Sequence, residues 1–103
     1  MSVQKITKEN YTALVKNSEK TVLLDFYADW CGPCRMVSPL VDEIAEERTD
    51  VLVGKINVDD DPSLAMDFGV VSIPTLVVVR NGEAVTRAVG ARPKDAILAM
   101  LDA

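Results

Sequence analysis

The stretch Thr21–Arg48, TVLLDFYADWCGPCRMVSPLVDEIAEER, decides the fold. Thr21–Ala28 is nearly all apolar, the composition of a central strand covered by helices on both faces, and Asp25 is its one exception. From Cys31 or Gly32 to Arg48 the period changes. Cys34, Val37, Val41, Ile44, Ala45 and Arg48 recur at helical spacing, while Asp42, Glu43, Glu46 and Glu47 fall on the wet side. Pro39 lies within this helix, where it removes one backbone donor and is expected to bend the axis without breaking it.

Working outward, Ser2–Ile6 reads as a short strand, and a helix is predicted from about Lys8 to Asn17 with Thr7 as N-cap and Tyr11, Leu14 and Val15 on one face. Downstream, Val51–Val58 is the next buried strand. Asp61-Pro62 then supplies an N-cap and a proline at the first helical position of a short helix ending near Gly69. Thr75–Arg80 and Ala84–Val89 flank the turn Asn81-Gly82-Glu83 and form an antiparallel hairpin. A last helix from Pro93 buries Ala96, Ile97, Met100 and Leu101. The order βαβαβαββα predicts an α/β fold with a mixed sheet, right-handed parallel crossovers and the hairpin at one edge.

The 103 residues, 49% of them apolar and 26% charged, suit one globular domain spanning 1–103. The net charge of −5 without a basic stripe argues against nucleic acid as a partner. No apolar run is long enough to span a bilayer, so a cytoplasmic protein with no membrane association is expected. The chain has no histidine and two cysteines, which removes Ser-His and Cys-His catalysis and any closed four-ligand cysteine site. No metal and no cofactor are expected. The acidic run Asp59-Asp60-Asp61 lacks the spaced oxygen ligands of a calcium loop and reads as a solvated loop with an N-cap.

Chemistry therefore rests on Cys31 and Cys34. At a helix N-terminus, residues three apart have Cβ atoms about 5–6 Å apart, and a small distortion of the first turn closes a disulfide. So short a ring gains little from loop closure, and its redox balance depends on thiolate stability and local strain. The orphan N–H groups and the helix dipole favour an anion at Cys31, which becomes the attacking thiolate. Cys34, one turn further and on the apolar face, is expected to be shielded and to resolve the mixed disulfide. A lone C-x-x-C also fits half a zinc knuckle or a structural bridge. Its setting between a strand and a helix favours the redox reading. Gly32 allows close approach to the sulfur, and Pro33 sits where a helix tolerates it.

Asp25 shares a strand face with Leu23 and Tyr27 beneath a helix, where an ionised carboxylate is costly, so its pKa is expected to rise. Lys55, alternating with Val53 and Asn57 in the neighbouring strand, is placed to moderate that rise.

The segments Asp25-Phe26-Tyr27-Ala28-Asp29-Trp30-Cys31-Gly32-Pro33-Cys34, Ser72-Ile73-Pro74-Thr75 and Val89-Gly90-Ala91, in this order and spacing, resemble the thioredoxin family along essentially the whole chain. The resemblance implies a thioredoxin fold, with a central five-stranded mixed sheet flanked by four helices. It further implies protein-disulfide reductase activity, with re-reduction by thioredoxin reductase, disulfide-containing proteins as targets and a monomeric chain. The Gly-Pro between the cysteines is similar to the reducing members, whereas oxidases and isomerases of the superfamily more often carry histidine there. By the same resemblance Pro74 is a cis-proline facing the cysteines, whereas base rates alone favour a trans turn proline. Trp30, Gly32, Pro33, Ile73, Pro74, Thr75, Gly90 and Ala91 would form the groove in which an extended substrate docks. Asp25 would exchange a proton with Cys34, with Lys55 beside it; an inert buried ion pair is the alternative.

Taken alone, the residues would make Trp30 a half-buried packing side chain. Tyr27 departs from the family, many members of which carry tryptophan there. The methionines are expected to fill core gaps, with Met36 and Met66 partly exposed. Two other functions remain open at this level: a partner subunit that works through an apolar rim at Trp30, Ile73 and Ala91, and an oxidant or isomerase.

Overall fold

A computed structural model describes residues 3–103. The elements are β1 (Gln4–Lys5), α1 (Thr12–Lys16), β2 (Thr21–Tyr27), α2 (Gly32–Glu47), β3 (Val51–Asn57), α3 (Pro62–Asp67), β4 (Thr75–Arg80), β5 (Glu83–Val89) and α4 (Lys94–Asp102). The five strands form one sheet in the order β1-β3-β2-β4-β5. β1 and β2 run parallel to β3, and β4 runs antiparallel to both β2 and β5. This is the thioredoxin fold anticipated above. β1 is shorter than predicted, and the Ser2 end of that prediction lies outside the described residues.

β2 is central because its side chains can be buried on both faces. Leu23 packs on one side with Val37, Val41 and Ile44 of α2 and Ile97 and Leu101 of α4. Val22, Leu24 and Phe26 pack on the other with Ile6, Val15 of α1 and Leu64 of α3. The period of two in β2 thus separates two apolar layers, and Asp25 falls in the α2 layer.

α2 follows its apolar stripe as predicted: Cys34, Val37, Val41, Ile44 and Ala45 are buried, and the helix continues through Pro39. Arg48 lies just beyond it as C-cap, bound to Asp50 and Asp102.

The helix predicted over 8–17 is replaced by turns and a five-residue helical segment, α1, closed by an i→i+5 bond from the Asn17 N–H to the Thr12 carbonyl at 3.0 Å. Local side-chain chemistry explains the shortfall. Asn10 Oδ1 accepts from the Thr7 N–H at 2.8 Å, and its Nδ2 donates to the Lys5 carbonyl at 2.9 Å. These bonds offer the backbone an alternative to a helical ladder. Thr7 contributes its carbonyl rather than a side-chain cap, accepting from the Asn10 and Tyr11 amides.

α3 begins with Pro62 as predicted, but the Asp61 side chain does not cap it. The Asp61 carboxylate instead accepts from the Lys8 N–H at 3.3 Å and ties α3 to the segment after β1. Gly69 (φ +66°) ends the helix, with the Val70 N–H reaching back to the Ala65 carbonyl at 2.9 Å. The hairpin turn is two residues, Asn81 (φ +53°) and Gly82 (φ +80°), and Glu83 already belongs to β5. In α4, Pro93 is the N-cap and Ile97, Met100 and Leu101 are buried, while Ala96 is half-buried. Met36 and Met66 are 70% and 78% exposed, so neither fills the core, whereas Met100 does.

Candidate active site

β2 delivers the chain to one edge of the sheet, where Ala28–Trp30 turns it into α2. The Cys31 N–H bonds the Ala28 carbonyl at 3.2 Å, leaving Cys31 extended at the N-cap. Cys31 and Cys34 are joined by a disulfide with Cα atoms 5.3 Å apart. The Cys34 N–H donates to Cys31 Sγ at 3.2 Å, so this sulfur takes the capping place usually held by an oxygen. Such a donor favours negative charge at Cys31 Sγ once the bond is reduced. Burial does not separate the two sulfurs, since Cys31 and Cys34 are 3% and 4% exposed. Their neighbours do.

Cys34 opens onto a cavity of about 200 Å³ that it shares with Asp25, Tyr27, Ala28, Asp29, Arg35, Ser38 and Lys55. Asp25 is 4% exposed, and its Oδ1 has no hydrogen-bond partner among the described residues. Burial pushes its carboxyl up to about 7; Lys55 opposes that rise and Asp42 adds to it. Lys55 stands opposite Asp25 in the β2–β3 register. Its ammonium lies 5.8 Å from the Tyr27 ring centroid, which adds a cation–π attraction. A carboxyl that titrates near neutrality beside a sulfur can take and return a proton at working pH.

On the other side lies an apolar groove of about 340 Å³, lined by Trp30, Val58, Ala65, Val70, Val71, Ser72 and Ile73. Ile73 and Val58 also pack against the cysteine pair. Trp30 is 68% exposed rather than half-buried, because its indole N–H is held by Asp59 Oδ2 at 2.9 Å and the ring lies along the surface. The Ile73–Pro74 peptide bond is cis. The Pro74 carbonyl accepts from the Gly90 N–H at 2.8 Å, and Gly90 at φ +96° adopts a conformation suited to glycine. Gly32, Pro33 and Ala91 are exposed, and a side chain at Gly32 would meet nothing within 4 Å. Thr75 is turned inward, its hydroxyl donating to the Ser72 carbonyl at 2.6 Å.

The structure thus brings Asp25, Lys55 and Cys34 to one cavity and Trp30 and Ile73 to one groove, and it ties Pro74 to Gly90. Several neighbours were not singled out from the sequence. Arg35 and Ser38 follow Cys34 on α2, and Ser38 carried a readable signal in its i+4 spacing. Asp59 as partner of Trp30, and Val58, Val70 and Val71 as groove walls, come together only through tertiary folding.

A family model described as Thioredoxin matches residues 2–103. A thioredoxin of Pyropia yezoensis is 48% identical over 103 residues, covering 99% of this chain and 96% of the relative. A thioredoxin of Mycobacterium bovis (strain ATCC BAA-935 / AF2122/97) is 50% identical over 95 residues, covering 91% and 82%. A bifunctional thioredoxin reductase/thioredoxin of Mycobacterium leprae (strain TN) is 48% identical over 94 residues, covering 90% of this chain and 20% of the relative.

Proposed function

The chain belongs to the thioredoxin family, oxidoreductases acting on disulfides through a redox-active cysteine pair, and from that membership we propose the roles of its individual residues. Cys31 attacks, Cys34 resolves, and Asp25 carries the proton. The observation that supports this division most is the asymmetry of the two sulfurs, Cys31 capped by an N–H of α2 and Cys34 opening on the Asp25 cavity.

In the reduced protein the Cys31 thiolate attacks one sulfur of a target disulfide and expels the other as a thiolate, which gives a mixed disulfide. Asp25 takes the proton of Cys34. The resulting thiolate attacks Cys31 Sγ, the mixed disulfide breaks, and the second target sulfur leaves as a thiolate. Two electrons pass to the target, and the Cys31–Cys34 disulfide is formed. Re-reduction runs the same exchanges backwards, with Asp25 protonating Cys34 as it leaves. Lys55 holds positive charge beside Asp25 and limits how far burial raises its proton affinity.

Trp30, Gly32, Pro33, Ile73, Pro74, Thr75, Gly90 and Ala91 are proposed to form the docking surface. The exposed side chains of Trp30, Pro33 and Ala91 and an open Gly32 support that reading. The electron donor is proposed to be thioredoxin reductase, and one relative is named as carrying both activities. The targets are proteins with accessible disulfides. The proposal extends to a single-domain monomer in the cytoplasm, where thiols are kept reduced. Among the described residues no helix is long and apolar enough to cross a membrane.

Insulin-disulfide reduction coupled to NADPH and thioredoxin reductase tests the scheme. Cys31→Ser should abolish turnover. Cys34→Ser should stop after one mixed disulfide, trapped through Cys31. Turnover equal to the parent in either variant refutes the assignment.

A further inference from the structure

Cys34, Ser38 and Asp42 are spaced i, i+4 and i+8 along α2 and so share one stripe of the helix. The first two line the cavity that holds Asp25. Asp42 lines a neighbouring cavity of about 500 Å³ with Val3, Glu43 and Glu46. Lys55 belongs to the walls of both. Lys55, opposite Asp25 in the β2–β3 register and with its ammonium beside the Tyr27 ring, thus shares one cavity with Asp25 and the next with Asp42.

We propose that Asp42 is a positioning residue for proton transfer at Cys34, acting on the charge balance around Asp25 from the neighbouring cavity that Lys55 also lines. The inference rests on the reading of Asp25 as the group that exchanges a proton with Cys34. Among the described residues, few groups face Asp25. α2 contributes Cys34, Arg35 and Asp42, β3 contributes Lys55, β2 itself contributes Tyr27, and the following loop contributes Asp29. From β4, the residue opposite is Leu76, which carries no charge. Arg35 is drawn to the mouth, where its guanidinium bonds the Asp29 carbonyl at 2.8 Å.

Of these charges, Lys55 and Asp42 act on Asp25 in opposite senses. Lys55 favours the carboxylate and Asp42 favours the acid. The second effect matters because the Asp25 carboxylate must be basic enough to take the Cys34 proton. Without Asp42, one influence that favours the acid is lost and the carboxylate becomes a weaker base. Asp42 is exposed at the surface of α2, so its exchange for a neutral residue leaves the packed layers intact.

The test is a titration of the Asp25 carboxyl carbon by NMR in the oxidised protein, paired with the pH dependence of reduction of a small aromatic disulfide by the reduced protein, read by Trp30 fluorescence. The variants are Asp42→Asn, Asp42→Glu, Lys55→Met and Asp25→Asn. Asp42→Asn is expected to move the Asp25 midpoint and the matching limb of the rate profile down by about half a pH unit, a change of roughly threefold on that limb. Asp42→Glu should restore the parent midpoint, and Lys55→Met should move it up. An unmoved midpoint and limb in Asp42→Asn overturn the inference, including the case in which only its melting temperature falls. If Asp25→Asn leaves the rate profile unchanged, the reading of Asp25 fails first and the inference fails with it; if Asp25→Asn removes the limb and Asp42→Asn does not shift it, only the inference fails.

Discussion

Asp25 is costly where it stands. Its carboxyl is protonated up to about pH 7 in the folded chain, whereas an unfolded aspartic acid titrates near the ordinary value of 3.8. Below about pH 4 both states carry the proton and the residue costs nothing in this respect. As pH rises from there to about 7 the unfolded state loses its proton first, so stability falls across that window and then levels off. At about 1.4 kcal/mol per unit the loss approaches ~4 kcal/mol at pH 8. Asp25→Asn removes it, so urea unfolding should show the variant more stable by roughly 2–4 kcal/mol at pH 8 and by almost nothing at pH 3.5; equal gains at both values would contradict the assignment. Turnover in the same variant should fall most near neutral pH. Both the residue and the direction of its shift were legible in the sequence, because a lone carboxylate in an apolar strand can be read from composition alone. The opposing influence of Asp42 was not, since it depends on how α2 is rotated over the sheet. The exposure of Trp30 is not readable from its residue type for a similar reason: the Asp59 carboxylate that accepts from its indole N–H lies 29 residues further on in the chain.

Elements whose identity follows from period and punctuation form close to where the sequence predicts them. β2, α2, β3, β4 and the hairpin fall within one or two residues of expectation, because long apolar stripes and Asn-Gly turns are set locally. α1 is shorter than its pattern predicts, since one buried side chain and the competing bonds of Asn10 do not sustain three turns of helix. β1 was placed but too long, and what holds it is a contact the sequence does not display. A Cβ on Gly54 of β3 would lie 2.5 Å from Ile6 Cγ1 and 3.3 Å from Leu24 Cδ2. Ile6 is fully buried just after β1, and its β-branched side chain cannot swing aside within a packed layer. Gly54→Ala should therefore destabilise by about 1–3 kcal/mol and lower the melting temperature by roughly 5–15 °C, with turnover at 25 °C nearly unchanged. A melting temperature equal to the parent's would show that Ile6 has room to repack. Gly82→Ala, at φ +80° in the hairpin turn, makes a smaller companion test, with an expected cost of about 1 kcal/mol from backbone strain.

Across the whole molecule, two cavities flank the cysteine pair at one edge of the sheet. The Asp25 cavity opens on the α2 and β3 side, and the apolar groove lies towards α3 and the segment before Pro74. The groove is also where docking affinity and sulfur chemistry can be separated by experiment. Val71 is 96% exposed on its rim, between the half-buried Val70 and the Ser72 carbonyl that anchors Thr75. An apolar side chain so open contributes little to folding, yet burying it against a target removes apolar surface from water on both partners. Val71→Asp replaces that gain with a carboxylate that must be desolvated on docking. The variant should fold with the parent's melting temperature and reduce a small disulfide at the parent's rate. Its KM for insulin or another protein disulfide should rise about three- to tenfold, with kcat nearly unchanged, because the loss falls on binding rather than on the exchange step. A lower rate with the small disulfide would instead place Val71 in the chemistry of the cysteine pair, and an unaltered KM for protein targets would remove this rim from the docking surface.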